Sequence, residues 1–156
     1  MGCFKFIKSK VLTFNALSRQ EHLLFFRSLF LLPIVAFSLQ LWGMQSTQKF
    51  LAQISQKTIL SSTVATSLLL AKTTSTMVNL AARYSPLWGN CLKKSLVLWY
   101  LLRCQGIMSE LRIGVRRENG EFQAHAWIEH AGVVLNDTPY VYQQFTTFAQ
   151  AIEVKT

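Results

Sequence analysis

Three residues in the second half of this chain carry the side chains that acyl transfer through a thiol requires: Cys91, His125 and Asp137. In such chemistry a thiolate attacks a carbonyl, an imidazole takes and returns the proton, and a carboxylate orients the imidazole. Cys91 follows Asn90, a good N-cap, and so reads as the first residue of a helix that ends near Cys104 or Gln105, before Gly106. A thiol there meets unsatisfied backbone N–H groups and the positive end of the helix dipole, both of which favour the thiolate. Lys93 and Lys94 run against the usual preference for acids in a first helical turn, and beside a thiolate they become favourable. Alone, Cys91 reads first as an ordinary buried cysteine next to solvated lysines.

His125 changes that balance. In Phe122 to Glu129, strand alternation sends Gln123, His125, Trp127 and Glu129 to one face and Phe122, Ala124, Ala126 and Ile128 to the other. His130-Ala131-Gly132 reads as a three-residue loop with Gly132 in the left-handed position, which pairs Glu129 with Val133 and sets His125 directly opposite Asp137. Cβ atoms so paired lie ~4.5–5.5 Å apart, within reach of a carboxylate–imidazole hydrogen bond. Separately, His125 also fits a core histidine, and Asp137 a strand-end residue before Thr138-Pro139. The order and placement of all three carry the argument.

Other candidates are weaker. Cys104 lies thirteen residues further along the same helix, ~20 Å from Cys91 at ~1.5 Å per residue, too far for a disulfide or a shared metal. Cys3, His22 and His130 have no zinc-ligand spacing, and no glycine-rich phosphate loop is present. Neither a metal nor a cofactor is expected. Trp88, Trp127 and Tyr140 are candidates to line a cleft, although aromatics of this size more often serve packing.

The elements that must position these residues can be read from periodicity. Leu111, Ile113 and Val115 alternate with Glu110, Arg112, Gly114 and Arg116, and Asn119-Gly120 makes a two-residue hairpin turn that pairs Ile113 with Ala126. A third strand runs from Val133 to Asp137 and a short final helix from about Gln144 to Ile152. Upstream, helices are expected over about 23–44, 47–56 and 61–83, and Tyr84 to Asn90, with Pro86 and Gly89, separates them from the cysteine-bearing helix. That helix is apolar almost all round and must be buried. The architecture is therefore α+β: a helical N-terminal region, residues 1–83, packed on a core, residues 84–156, in which a cysteine-bearing helix meets a small antiparallel sheet. The face holding Leu111, Ile113, Val115, Ala124, Ala126 and Ile128 is expected to lie under the N-terminal helices, and the His125 face to receive the Cys91 helix.

Composition narrows the setting. With 156 residues, 51% of them hydrophobic, and three cysteines, the chain is one compact domain, neither disordered nor built on disulfides, and a reducing, cytoplasmic compartment is expected. Residues 1–109 hold twelve Lys/Arg and one acid, Glu21, whereas residues 110–156 hold four Lys/Arg and six Asp/Glu. A basic segment of this kind suits an acidic partner. Its basic residues are scattered among apolar ones with no RNA-binding or helix-turn-helix signature, so nucleic acid is not expected. Lys5, Lys8 and Lys10 open the chain like a signal peptide, but no small-residue cleavage site follows, and Phe6 stands where a myristoylation motif needs Ser or Thr. Ser28 to Met44 offers 17 uncharged residues, the lower edge of a membrane span. Pro33, with His22, Arg27, Gln40 and Gln45 nearby, suits a core or interfacial helix as well, so peripheral membrane contact is also expected.

The run Cys91-Leu92-Lys93-Lys94-Ser95-Leu96, then Leu111-Arg112-Ile113-Gly114-Val115, Ala124-His125-Ala126-Trp127-Ile128-Glu129 and Gly132-Val133-Val134-Leu135-Asn136-Asp137 resembles the lasso-peptide biosynthesis B protein family of the transglutaminase-like superfamily. Ile128 stands where that pattern has valine. The resemblance covers about residues 84–145, with a looser likeness over Glu21 to Ala52. It implies a papain- or transglutaminase-like core and a cysteine peptidase that removes the leader from a ribosomally made precursor peptide. It assigns Cys91 as nucleophile, His125 as base and acid, and Asp137 as orienter. It also implies a small leader-recognition protein and an ATP-using lasso cyclase as partners. Residue chemistry alone equally serves a transglutaminase-like acyltransferase or transamidase, since the second step depends on which nucleophile enters. A non-catalytic scaffold that binds membrane or a partner is the remaining alternative.

Overall fold

The computed structural model of the protein describes residues 17–55, 63–85, 89–118 and 120–147. Three helices come first: α1 (Arg19–Ile54), α2 (Val64–Tyr84) and α3 (Cys91–Cys104). Strands β1 (Glu110–Glu118), β2 (Glu121–His130) and β3 (Val133–Val134) follow, then the single turn α4 (Val141–Gln144) and β4 (Thr146–Thr147). The strands form one antiparallel sheet in the order β3-β2-β1-β4, which gives the expected α+β arrangement.

α1 begins in a capping box: Glu21 N–H donates to Ser18 Oγ at 3.3 Å and Ser18 N–H donates to Glu21 Oε2 at 2.8 Å. Those bonds hold the Glu21 carboxyl below its ordinary range. The two helices expected over 23–44 and 47–56 are one run, interrupted where Gly43 takes φ 72° and ψ −179°. Nothing lies within 4 Å of the place a Cβ would occupy, so glycine is needed there for its backbone freedom and not for space. Trp42 and Phe50 meet edge to face across the break, with ring centroids 5.8 Å apart.

One core joins helices and sheet. Leu32 and Val35 of α1, Ala71 and Val78 of α2, Leu96 and Leu98 of α3, and Leu111, Ala126 and Ile128 of the sheet are all buried in it. Polar links fasten its edges. Arg103 Nε donates to Ser55 Oγ at 2.7 Å, and Ser75 Oγ donates to the Leu135 carbonyl at 2.8 Å. His130 ties α2 to the sheet, one ring nitrogen on Ser67 Oγ at 2.8 Å and the other on the Met108 carbonyl at 2.6 Å.

The β1–β2 register is the expected one, with Ile113 opposite Ala126 and Gly114 opposite His125. Four expectations need correction. The second hairpin pairs Glu129 with Val134 and His130 with Val133, so its turn has two residues, not three. Ala131 at φ 50° and Gly132 at φ 75° both take the left-handed backbone that such a turn demands, and an alanine there does not advertise itself in sequence. β3 ends at Val134 instead of Asp137. Where a helix was expected from Gln144, the chain makes one helical turn over Val141–Gln144 and then runs extended to pair Thr146 and Thr147 with β1; residues 148–152 lie outside the described ones. Finally, α3 itself covers the face holding Leu111, Ile113, Ala126 and Ile128, because its apolar side chains and theirs share one core. The His125 face is packed instead by Tyr142 and Phe145.

Candidate active site

The structure brings His125 and Asp137 together: Nε2 of the imidazole is hydrogen-bonded to Asp137 Oδ2. A carboxylate only accepts, so Nε2 carries the hydrogen and the neutral ring presents Nδ1 as its base. The second carboxylate oxygen accepts from Thr138 N–H at 2.6 Å, which fixes the side chain against its own backbone. Both side chains are about a quarter exposed, 24% and 25%, so the pair is held yet open to a substrate.

This contact does not come from strand pairing, which has ended three residues earlier. Leu135 N–H still donates to the Ile128 carbonyl at 2.9 Å, and then the Asn136 side chain replaces the ladder by accepting from Ile128 N–H at 2.8 Å. The chain bends over residues 135–137, and Asp137 there meets the imidazole.

His125 is also clamped from its flanks. Its ring stacks with Trp127, centroids 6.1 Å apart, and with Phe145, centroids 4.9 Å apart. The space for both comes from Gly114, directly opposite on β1. A Cβ there would stand 2.8 Å from Phe145 Cβ and 2.9 Å from Trp127 Cη2, closer than such atoms approach. Trp127 is fully buried, so it supports the imidazole and does not line a cleft. Its Nε1 donates to Glu129 Oε1 at 2.7 Å, and Tyr142 OH and Arg112 Nε donate to the same buried carboxylate. Burial and the bond to Glu129 push the Tyr142 phenol upward in pKa. Tyr140 is largely exposed, and Trp88 lies outside the described residues.

Cys91 stands at the first position of α3, half-buried and unoxidised. Asn90 caps the helix as expected: its Oδ1 accepts from Lys93 N–H at 3.0 Å and its carbonyl from Lys94 N–H at 3.0 Å. The N–H groups of Cys91 and Leu92 therefore have no partner within the helix. No hydrogen bond joins the thiol to His125 among the described residues; unliganded sites commonly leave such bonds long until substrate arrives.

What aligns the helix with the pair is Ser95, one turn beyond Cys91 on the same helix face. Buried Ser95 Oγ donates to the Ala126 carbonyl at 3.0 Å and accepts from Asn136 Nδ2 at 2.9 Å. Ser95 lies four residues after Cys91, Ala126 next to His125, and Asn136 next to Asp137. A single buried clamp thus touches the neighbours of all three candidate residues. Sequence reasoning missed Ser95, Asn136, Gly114, Glu129 and Phe145. A lone serine among apolar residues one turn after the cysteine is the signal that could have found the clamp.

Asn136→Ala removes the donor to Ser95 Oγ, which keeps its bond to the Ala126 carbonyl, and the acceptor of Ile128 N–H. It is expected to cost about 2–3 kcal/mol by denaturant unfolding. It should also lower acyl-transfer activity about a hundredfold, as a misplacement near 1 Å does. Activity within a few-fold of wild type, measured well below the unfolding midpoint, would remove the clamp from the site.

Residues 34–150 match the family model described as the transglutaminase-like superfamily. No curated protein and no solved structure matches the chain. The matched stretch opens within α1, takes in α2, α3 and the whole sheet, and so contains every residue of the site. By that match the chain belongs to the transglutaminase-like superfamily, as a helical region joined to a small antiparallel sheet.

Proposed function

We propose that this protein is a cysteine peptidase that cuts the leader from a ribosomally made precursor peptide in lasso-peptide maturation, using Cys91, His125 and Asp137. The observation that carries the chemistry is the His125–Asp137 pair, held by Nε2 and leaving Nδ1 for a thiol. The superfamily, whose members are generally cysteine-based enzymes, agrees with that chemistry. The leader as substrate rests on the likeness of the motifs around the three residues.

In this reading Nδ1 of His125 takes the Cys91 proton as sulfur bonds to the scissile carbonyl carbon, whose π pair moves onto oxygen. The Cys91 and Leu92 N–H groups at the helix start are the nearest donors for that oxyanion. The C–N bond then breaks, the imidazolium protonates the departing amine, and a thioester remains. Water, giving a proton to Nδ1, attacks the thioester; the C–S bond breaks and the thiolate recovers its proton. Asp137 keeps Nε2 protonated throughout. A small leader-recognition protein presents the precursor, an ATP-using cyclase consumes the product, and the enzyme works in the cytoplasm with α1 against a membrane surface.

The test is intact mass of a precursor peptide incubated with the protein and its leader-recognition partner. Two fragments whose masses sum to the precursor plus one water support the peptidase. Coupling of a fragment to an added amine would move the assignment to a transamidase, and an intact precursor would overturn acyl transfer to either acceptor.

A further inference from the structure

Between Leu23 and Leu41 α1 carries large apolar side chains on two opposite sides, and one of these packs against the other described helices. Leu24, Phe25, Leu32, Val35 and Ala36 are buried on the side that packs against α2 and α3. On the other side Leu23, Phe26, Phe30, Ile34, Phe37 and Leu41 are between 43% and 77% exposed. Their three- and four-residue spacing keeps them within about 80° of the helix circumference over a length of ~27 Å. A surface helix normally carries polar side chains there, and a continuous row of large apolar ones marks a contact face. α1 is also the one helix among the described residues long and apolar enough to cross a bilayer, but 39% of its most apolar window is already buried in the protein. With its inner face packed on α2 and α3 and its outer face apolar, α1 has the form of a helix that lies in an interface.

Charge chooses the occupant. Glu21 is the single acid among residues 1–109, against twelve Lys/Arg, and its carboxylate is engaged by Ser18. Exposed Arg19 falls in line with the stripe at its start, and exposed Arg27 borders it. Arg27 also lines an open groove of about 490 Å³ between α1 and α3, with Phe30, Leu31, Ile34, Tyr100 and Cys104. That groove offers a cation to a headgroup phosphate beside apolar walls for its chains. A second copy of the same face would set like charges together, which disfavours self-association there.

We propose that this face of α1 docks the protein on an anionic phospholipid bilayer, its apolar stripe entering the boundary between headgroups and chains and Arg19 and Arg27 meeting phosphates. The proposal deepens the membrane contact in the functional reading and does not depend on the peptidase chemistry. The experiment is co-sedimentation of the full chain with vesicles of phosphatidylcholine alone and of equal parts phosphatidylcholine and phosphatidylglycerol, for wild type, Phe30→Ser/Phe37→Ser and Arg19→Glu/Arg27→Glu. Wild type should bind the mixed vesicles, and each double variant should bind them at least about tenfold more weakly, with circular dichroism unchanged. Precursor cleavage without vesicles should be the same for all three proteins, which separates this outcome from the peptidase reading. Equal binding to both vesicle types, equal binding by the variants, or a dimer that the Phe30→Ser/Phe37→Ser pair dissociates would overturn it.

Discussion

Cys91→Ala is expected to bring precursor cleavage down to the background rate, a loss of about a million-fold, because removing the nucleophile of such a unit costs about as much as removing the unit. No other thiol among the described residues can stand in. Cys104 sits at the far end of α3, ~20 Å away, in the groove beside Arg27 and Tyr100. Burial and a hydrogen bond to Cys104 push the Tyr100 phenol upward in pKa, so that thiol already has a neighbour of its own. The substitution should leave the fold intact: alanine is the best helix former, and the Asn90 cap bonds to Lys93 and Lys94, not to Cys91. Intact-mass assays with Cys91→Ala and Cys104→Ala, each checked by circular dichroism, read the difference. Cleavage by Cys91→Ala within tenfold of wild type would end the nucleophile assignment. If in addition Cys91 reacted with iodoacetamide no faster than Cys104, a scaffold role would take its place.

Trp127→Ala is expected to be the most destabilising single change near the site, by about 4 kcal/mol. The ring is fully buried, and its loss leaves a cavity that β1, β2 and Tyr142 cannot close. It also takes one of three donors from Glu129, a buried carboxylate that then relies on Arg112 and Tyr142. Trp127→Phe keeps most of the volume and loses only the indole donor, so about 1–2 kcal/mol is expected. Urea unfolding with an unchanged slope measures both. Similar midpoints for the two variants would show that the ring itself contributes little. Trp127→Ala should further weaken catalysis in the folded fraction, because His125 loses one of the two rings that hold its plane.

The reach of the sequence can be judged residue by residue. Asn119-Gly120 specifies a two-residue turn, and with it the whole β1–β2 register, including Gly114 opposite His125, was legible. The Ala131-Gly132 turn was not, because alanine gives no sign of a left-handed backbone. The contact between His125 and Asp137 was expected from a pairing that the strands do not make; Asn136 achieves it by another route. The helix break at Gly43 falls beside the boundary expected between 23–44 and 47–56, although the helical run resumes at once and does not pass through a loop. α3 takes the side of the sheet away from His125, opposite to the expected one. The aliphatic row from Leu111 to Ile128 had the stronger demand for a helix that is apolar all round. Gly114 as the space for two aromatic rings could not be seen without Phe145, which reaches it from a segment read as helix.

The two hairpin turns differ in how they bear an inserted residue. At the β1–β2 tip the last pair, Glu118 with Glu121, is exposed, so inserted residues would lengthen a solvent loop and leave Gly114 facing His125. At Ala131-Gly132 one added or deleted residue would slide Asn136 off Ile128 and carry Asp137 away from the imidazole. An inserted residue at the first tip is therefore expected to leave the His125–Asp137 contact in place and one at the second to break it, so what the second turn sets is the distance along the chain between imidazole and carboxylate.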